Sequence, residues 1–471
     1  MHKNQKIDFF NSIAKDRDHW KKKNRYYYKK ITQLLKFIIP EGSSVLEIGC
    51  GTGDLLNDLK PGMGVGIDFS INMINIAKEK YPGLTFIEMD AENLNLDYKF
   101  DYIVMSDIIG HLEDIQPALE KLHHVCHPKT RVVITYYNFL WELLLKIGEK
   151  LKIKMKEFHQ NWLSKYDILN ILNLANFETI RMGAWLLLPV YIPIISEFLN
   201  KYVSKFFLLH NLCFVNYMIA RPKPNELLIN KNLSCSVIIP ARNEAESVEL
   251  AVQEIPEMGK FTEIIFVEGH SKDNTLEEIK RVCEKYKNLK KIKYFIQDGI
   301  GKKDAVFKGF DMAAGDILMI LDADLTVPPK DLQKFYNAIA SGKGEFINGS
   351  RFVYPMEKDA MRFLRSIGNK FFSILFSWIL GNYFKDTLCG TKVIAKSDYE
   401  KIIKAKDYFG DFDKYGDFDL ILGSYKQSLK IIDLPVHYKS RTYGATNIPI
   451  RQGGMILLKA AFFAMKKIKF I

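Results

Sequence analysis

Ile317-Leu-Met-Ile-Leu-Asp-Ala-Asp-Leu-Thr-Val-Pro-Pro329 leaves the chain little freedom: an apolar run breaks into two acids and then a proline pair. Near-continuous hydrophobics without alternation predict a strand buried on both faces, as in a parallel sheet covered by helices. In extended backbone, side chains two apart face the same way, which would aim Asp322 and Asp324 at one spot on the carboxyl edge of the sheet. Open α/β sheets bind ligands at that edge. Neighbouring carboxylates repel, and a hard divalent cation that also holds a diphosphate removes that cost. The stretch therefore predicts a site for a metal ion, Mg²⁺ or Mn²⁺, and a nucleoside-diphosphate sugar.

With 471 residues the chain is long enough for two or three domains. Lysine and arginine number 67 against 55 acids, a formal charge of +12 that favours an anionic partner. No basic run has the form of a nucleic-acid reader, so phosphate compounds and an acidic membrane face rank ahead of nucleic acid. Six cysteines without paired spacing fit reduced thiols in a cytosol better than disulfides or a zinc site. His123-His-Val-Cys-His127 precedes Pro128 at an expected helix end, where capping and surface roles outweigh metal binding. The start lacks an apolar signal core, and the most apolar stretch, Ala184 to Ser196, is too short to cross a bilayer. These features predict a cytoplasmic protein.

The first half opens with an apolar-periodic helix over 24–39. Ser44-Val-Leu-Glu-Ile-Gly-Cys-Gly-Thr-Gly-Asp54 then reads as strand, tight glycine turn and helix start. Glu47, Gly49, Gly51 and Gly53 are spaced Glu-x-Gly-x-Gly-x-Gly. Asp54 stands where a dinucleotide fingerprint wants its last glycine, which counts against a bound diphosphate. Val65-Gly-Ile-Asp68 is a second strand ending in a carboxylate able to accept both ribose hydroxyls. Met89-Asp90-Ala91 closes a third strand and Tyr102-Ile-Val-Met-Ser-Asp107 a fourth. From about Tyr26 to Asn138 these four motifs, in this order, resemble the class I S-adenosylmethionine-dependent methyltransferases.

That resemblance implies a Rossmann-like sheet that binds S-adenosylmethionine. Gly49, Gly51 and Gly53 would pass the amino-acid part of the cofactor, Asp68 would hold the ribose, and Asp90 with Ala91 would meet the adenine. Asp107 and His111 would line the methyl-transfer end. His111 is either a general base or a residue that caps or packs the helix opening near Glu113. No Asn-Pro-Pro-aromatic signature of amino methylation is present, which favours an oxygen or carbon acceptor. Trp185-Leu-Leu-Leu-Pro-Val-Tyr-Ile-Pro-Ile-Ile195 is core or a greasy lid. Residues 1–221 form one expected domain, and Pro222 to Asn232 has linker character.

A second α/β pattern covers 233–471. Ser236-Val-Ile-Ile-Pro-Ala-Arg-Asn-Glu-Ala-Glu246 is a strand followed by an acidic helix start. Glu263-Ile-Ile-Phe-Val-Glu268 leads to Gly269-His-Ser-Lys-Asp-Asn-Thr275, and Gly299-Ile-Gly-Lys-Lys-Asp304 precedes the helix before the Asp322 strand. This order resembles the family 2 glycosyltransferases, which implies a nucleotide-binding sheet of GT-A type. By that likeness Pro240, Arg242 and Glu244 lie at the nucleotide, Glu268 and Asp273 approach the base, and Lys303 and Asp304 flank the pocket. Asp322 would reach ribose or metal and Asp324 the metal. Glu268-Gly-His-Ser271 replaces the two aspartates common in the family, which leaves uridine and guanosine both open.

Further on, the chain is similar to the branch that makes polyprenyl-phosphate sugars, dolichyl-phosphate mannose synthases among them. Asn348-Gly-Ser-Arg351 matches a strand-end arginine; Arg362, Arg365 and Asn369 share a helix face by spacing. Asp386-Thr-Leu-Cys-Gly-Thr-Lys392 and Arg441-Thr-Tyr-Gly-Ala-Thr446 resemble two phosphate-side loops, with Asn447 where the branch has lysine. Fixed cations are what joining a lipid phosphate to a sugar diphosphate requires. Two apolar segments, Phe371 to Leu380 and Met455 to Ile471 with Lys459, Lys466, Lys467 and Lys469, fit either peripheral contact with anionic lipid or core packing.

Phe409-Gly-Asp-Phe-Asp-Lys-Tyr-Gly-Asp-Phe-Asp-Leu420 presents a fork. A phosphate acceptor needs no base, whereas a sugar hydroxyl does, and Asp417, with Asp411, Asp413 and Asp419 beside it, resembles the base motif of hydroxyl-using members. Arg351, Arg365 and Arg441 together favour the polyprenyl phosphate over another glycan acceptor. The sequence thus predicts two doubly wound α/β domains, a methyltransferase followed by an inverting glycosyltransferase. Its rivals are a cofactor module that transfers nothing and a membrane-surface scaffold with idle sites.

Overall fold

The computed structural model describes residues 2–158, 160–225, 228–354, 363–408, 416–440 and 450–471, without the side chains of 2, 3, 207, 363–367 and 450–453. The chain divides into two compact units, the first ending at Lys223 and the second beginning at Pro224.

The first unit carries a seven-stranded sheet: β1 (Ser44–Ile48), β2 (Met63–Asp68), β3 (Thr85–Glu88), β4 (Phe100–Ser106), β5 (Cys126–Tyr137), β6 (Phe177–Trp185) and β7 (Val215–Pro222). Their order is β3-β2-β1-β4-β5-β7-β6. The first five are parallel, while β7 runs antiparallel to both β5 and β6. The chain leaves β1 toward β2 on one side and later returns to β4 on the other, so a crevice opens at the carboxyl ends of β1 and β4. Val45, Leu46, Ile103, Val104, Val132 and Ile134 are fully buried, as strands covered on both faces demand.

Two helices precede the sheet, α1 (His2–Lys23) and α2 (Arg25–Ile38). The second is the expected one. The first was not expected, because its polar and charged residues hide an apolar period. It is held by polar contacts: Asn72 Nδ2 donates to Asn11 O (3.1 Å), Thr52 Oγ1 to Asp18 Oδ1 (2.8 Å), and Lys21 Nζ reaches Asp54 Oδ2 (2.5 Å). Helix α1 is thereby sewn across the loops that leave β1 and β2.

As expected, the histidine run lies at a helix end: His123 and His124 are in the 3-10 turn Leu122–Val125 that follows helix Ile115–Lys121, and β5 begins at Cys126. His123 stacks on Phe177 and bonds Ala175 O, and His127 faces Asp101. Of the apolar stretch after Ala184, Trp185 and Leu186 are core, whereas Val190, Tyr191, Ile192, Ile194 and Ile195 are exposed.

The second unit repeats the logic with β8 (Cys235–Ala241), β9 (Thr262–Glu268), β10 (Lys291–Ile296), β11 (Ile317–Ile320), β12 (Phe346–Ser350), β13 (Lys392–Ala395) and β14 (Ile431–Pro435). The order is β10-β9-β8-β11-β13-β12-β14, parallel from β10 to β11, with β13 antiparallel to its neighbours. The switch point falls between β8 and β11. Strand β9 is buried along its whole length, and its internal Glu263 is satisfied by Ser236 Oγ, Ala314 N and Lys293 Nζ.

Part of the expected linker is tied down. β7 continues through Pro222, Asn230 N donates to Ala340 O (3.0 Å), and Tyr336 Oη donates to Asn230 O (3.2 Å). Helices Phe363–Leu380 and Ile450–Ala464 bury Phe376, Ile379, Ala461 and Ala464 and expose Phe371, Ile374, Met455, Leu458 and Phe462. No helix among the described residues is long and apolar enough to cross a membrane.

Candidate functional sites

A cleft of about 680 Å³ lies at the carboxyl ends of β1, β2 and β4, lined by Glu47, Gly49, Gly51, Asp68, Asp107 and His111. A smaller cavity shares Gly49, Asp68 and His111 and adds Asp90 and Ala91. The cofactor residues named from sequence thus meet at one place, apart from Gly53, which packs behind the turn against Phe86.

Backbone geometry explains the first glycine. Gly49 has φ +73°, and a Cβ there would stand 2.4 Å from Ile108 Cδ1. Gly51 donates its N–H to Asp68 Oδ2 (2.9 Å), while Asp68 Oδ1 accepts from Ser70 N (2.9 Å). Asp68 therefore fixes the turn with one lone pair of each oxygen and keeps others for a ligand. Burial raises its pKa above the ordinary carboxylate value.

Glu47 is buried; burial pushes its carboxyl up to about 8 in spite of Lys21 nearby. Its Oε2 has no hydrogen-bond partner. Asp107, at φ +57° where β4 ends, is pushed up to about 6 by burial, against the opposing hydrogen bond from Tyr27 Oη. Burial lowers His111 to about 4, so the ring is neutral at neutral pH, and its Nδ1 is buried without a hydrogen-bond partner. The cap role gains no support, since the first helical turn after His111 contains no bond from its ring nitrogens to backbone among the described residues.

At the tip of β11 the expected geometry is corrected. The strand ends at Ile320, and Asp322 and Asp324 sit in a turn closed by Leu325 N to Asp322 O (3.2 Å), with Leu325 at φ +50°. The alternation of extended backbone therefore does not orient the two carboxylates. Asp324 Oδ1 accepts from Thr326 N (3.2 Å) and Oγ1 (2.9 Å). Asp322 Oδ1 lies 2.6 Å from Lys302 Nζ. Burial alone would raise Asp322, yet Lys302, with Arg351 and Lys392 farther off, holds it below the usual carboxylate range. Lys302 in turn is raised, its desolvation outweighed by Asp322, Asp417 and Asp324. Asp322, Asp417 and Asp324 thus bear on the Lys302 ammonium, which was not singled out from sequence, while Arg351 and Lys392 bear on Asp322.

Each partner has a defined seat. Arg351 grips Asp386 in a fork, Nε to Oδ2 (2.6 Å) and Nη2 to Oδ1 (2.9 Å). Lys392, fully buried, donates to Asn348 Oδ1 (2.8 Å) and Cys389 O (2.7 Å) and lies 4.0 Å from Asp417 Oδ1. Lys303, one residue from Lys302, turns instead to Asp419 (2.7 Å). Asp304 accepts from Gly299 N (2.8 Å), folding its own glycine loop.

The loops after β8 and β9 are stitched together. Glu244 N donates to Thr275 Oγ1 (3.0 Å) and Asn243 N to Ser271 Oγ (3.0 Å). Buried Glu268 accepts from Ser271 N (2.6 Å), and Asp273 accepts from Thr275 N (3.1 Å). Pro240 is half-buried in β8 and Arg242 is exposed just beyond it. Asn369 lies half-buried on helix Phe363–Leu380. Arg362, Asp411, Asp413, Arg441 and Asn447 lie outside the described residues, as does the side chain of Arg365.

Residues 19–181 match the model of a methyltransferase domain, and residues 236–406 match glycosyl transferase family 2. The chain joins a methyltransferase domain to a family 2 glycosyltransferase domain. It is an enzyme of the transferase class in both halves. The glycosyltransferase half is similar to glycosyltransferase AglJ of Haloferax volcanii, 27% identical over 226 residues, 47% of this chain and 69% of that one. It is also similar to a dolichol-phosphate mannosyltransferase of Pyrococcus furiosus, 34% identical over 140 residues, 29% of this chain. The chain spans 39% of the length of that relative. The methyltransferase half is similar to a demethylmenaquinone methyltransferase of Staphylococcus epidermidis, 28% identical over 182 residues, 34% of this chain and 72% of that one.

Sequence reasoning passed over Arg17, Lys21 and Glu157 in the methyltransferase cleft and Lys302 in the glycosyltransferase cluster, and named Asp386 and Gly390 only as parts of their turn motif. For Lys302 the available signal was its place as first residue of helix Lys302–Asp311, where a side chain can reach across to the adjacent strand end. For Gly390 it was the glycine of the Asp386-Thr-Leu-Cys-Gly-Thr-Lys392 motif. A Cβ there would stand 2.0 Å from Asp322 Oδ2.

Proposed function

We propose that the glycosyltransferase half moves a sugar with inversion from a nucleoside diphosphate to a polyprenyl phosphate, and that the methyltransferase half methylates an oxygen or carbon acceptor. The Lys302–Asp322 pair, with Asp324 and Asp417 bearing on the ammonium and Arg351 and Lys392 on the carboxylate, carries the first part. Lys302 offsets Asp322, and its half-buried setting strengthens its field on any phosphate brought beside it relative to open solvent. Similarity to dolichol-phosphate mannosyltransferases supports a lipid-phosphate acceptor. The exposed apolar faces of helices Phe363–Leu380 and Ile450–Ala464 support contact with the cytoplasmic face of a membrane. Asp417, buried and beside Lys392, is kept as base for the reading in which a sugar hydroxyl accepts.

The donor chemistry suits a hard cation in kind, since Asp324 offers carboxylate oxygen. Since Lys302 already pairs with Asp322, Mg²⁺ or Mn²⁺ would rest on Asp324. When bound, such an ion neutralises charge on the departing nucleoside diphosphate. Gly390 lets the Asp386 turn close against Asp322, and Arg351 with Asp386 holds that turn to β12. Mass spectrometry of lipid products after adding nucleotide sugars one at a time tests this reading; a sugar-phosphate lipid is expected.

For S-adenosylmethionine the fit rests on Glu47, whose buried Oε2 awaits a donor such as the amino group of the cofactor, and on the left-handed turn at Gly49. Asp68 would hold the ribose, with Asp90 and Ala91 at the adenine. When bound, the cofactor supplies an activated methyl group, so placement of the acceptor furnishes much of the rate. His111, neutral and with a buried acceptor nitrogen, can take a proton from a hydroxyl. Isothermal titration with S-adenosylhomocysteine tests the cofactor; one equivalent is expected.

A further inference from the structure

The methyltransferase cleft contains polar groups for which the cofactor residues provide no partner. Arg17, on α1, lines it, and among the described residues its guanidinium makes no hydrogen bond or ion pair. A guanidinium stays charged at every working pH and carries five donors in a rigid fork. The charged or polar groups that bear on it most are Tyr28, Glu157 and Tyr137, ahead of Asp68 on the ribose side. Tyr28, Tyr137, Glu157 and His111 line the same cleft.

Glu157 lines the same cleft. Lys154 Nζ holds its Oε1 at 2.8 Å, and that lysine also lies over the Tyr137 ring. The other oxygen, Oε2, is buried and has no hydrogen-bond partner, like Nδ1 of His111. A buried acceptor without a donor is destabilising, and a buried charged group more so, which a complementary ligand would relieve. Two acceptors and one cationic donor fork on a single cleft define such a ligand: it brings an anion to the arginine and a hydroxyl to the carboxylate and imidazole.

We infer that the methyl acceptor is a hydroxy compound bearing an anionic group, phosphate or carboxylate, which Arg17 binds while Glu157 Oε2 and His111 Nδ1 receive its hydroxyl. This rests on the cleft being the S-adenosylmethionine site proposed above. Arg17 is then the residue that selects an acidic acceptor, and Glu157 the one that orients the hydroxyl.

The test is equilibrium dialysis of the full chain, loaded with S-adenosylhomocysteine, against labelled inorganic phosphate and, separately, labelled acetate. UDP and GDP are present throughout to fill the phosphate sites of the glycosyltransferase half. Arg17→Gln should weaken binding of the preferred anion at least tenfold, Arg17→Lys should restore part of it, and Glu157→Gln should strengthen it severalfold by removing a like charge. Affinity for S-adenosylhomocysteine should stay within about twofold in all three. Whichever of phosphate and acetate shows this pattern names the anion. Equal binding of both by parent and Arg17→Gln overturns the inference, and so does a parallel loss of S-adenosylhomocysteine affinity, which would give Arg17 to the cofactor. Arg17-dependent anion binding in a parent chain that binds no S-adenosylhomocysteine would support the anion site while refuting the cofactor assignment.

Discussion

Lys302 Nζ lies 2.6 Å from Asp322 Oδ1, and the Asp386 turn closes over the pair at Gly390. An ammonium paired with the first of two neighbouring acids changes what the motif can do. The cost of two adjacent carboxylates is offset by the chain itself, and Asp324 is left as the main seat for a cation. Asp322 is held ionised by Lys302, although burial works in the opposite direction.

Removing the ammonium should leave a partly buried carboxylate without its nearest partner. Lys302→Ala is expected to lower stability by about 1–3 kcal/mol, less than for a fully buried pair because both side chains keep some exposure. Urea denaturation measures this, and Lys302→Arg should recover part of the loss. An unchanged midpoint would mean that the contact contributes nothing.

At Gly390 an added Cβ would fall 2.0 Å from Asp322 Oδ2. Gly390→Ala should therefore push the turn off the acid pair and cut nucleoside-diphosphate release at least tenfold. Binding of S-adenosylhomocysteine, which belongs to the other unit, should be unaffected. Release at the parental rate would show that the turn is free to shift.

Glu47 makes the first unit sensitive to pH. Its folded carboxyl titrates near 8, well above the ordinary glutamate value, because burial disfavours the charged form. Between the ordinary value and about 8 the folded chain keeps a proton that the unfolded chain gives up, so stability falls as pH rises, by up to about 1.4 kcal/mol per pH unit. Glu47→Gln should flatten that slope in thermal melts from pH 5 to 8. Affinity for S-adenosylhomocysteine, whose ammonium favours the ionised carboxylate, should rise across the same interval in the parent and not in the variant.

Arg351 and Asp386 form a two-bond fork in a buried setting. Asp386→Asn should cost about 3–5 kcal/mol, since a buried guanidinium loses its counter-charge. Arg351→Lys should not rescue function, because an ammonium cannot reproduce the planar fork. Chemical denaturation of both variants checks the first expectation and nucleoside-diphosphate release the second.

Much of the fold was legible because its strands are apolar runs closed by special residues. The run ending at Ile320, the glycine turn from Gly49 to Gly53 and the acidic exits at Asp68 and Asp107 each announce a strand end. Helix α1 was not legible, because what fastens it is a set of polar contacts from Asn11, Asp18 and Lys21 to loops far along the chain. Lys303 was singled out while it is Lys302 that meets Asp322, since spacing cannot say which of two adjacent lysines at a helix start faces a neighbouring strand end. Asp322 and Asp324 were singled out as a pair, and the extended geometry assumed for them gives way to a turn at Leu325.

The central claim is that the acids at the tip of β11 serve glycosyl transfer from a nucleoside diphosphate. The most direct measurement is nucleoside-diphosphate release from nucleotide sugars in the presence of polyprenyl phosphate, for the parent and for Asp324→Ala. The account predicts release by the parent and a fall of at least a hundredfold, about 2.7 kcal/mol, in the variant. Equal rates in the two proteins would contradict it.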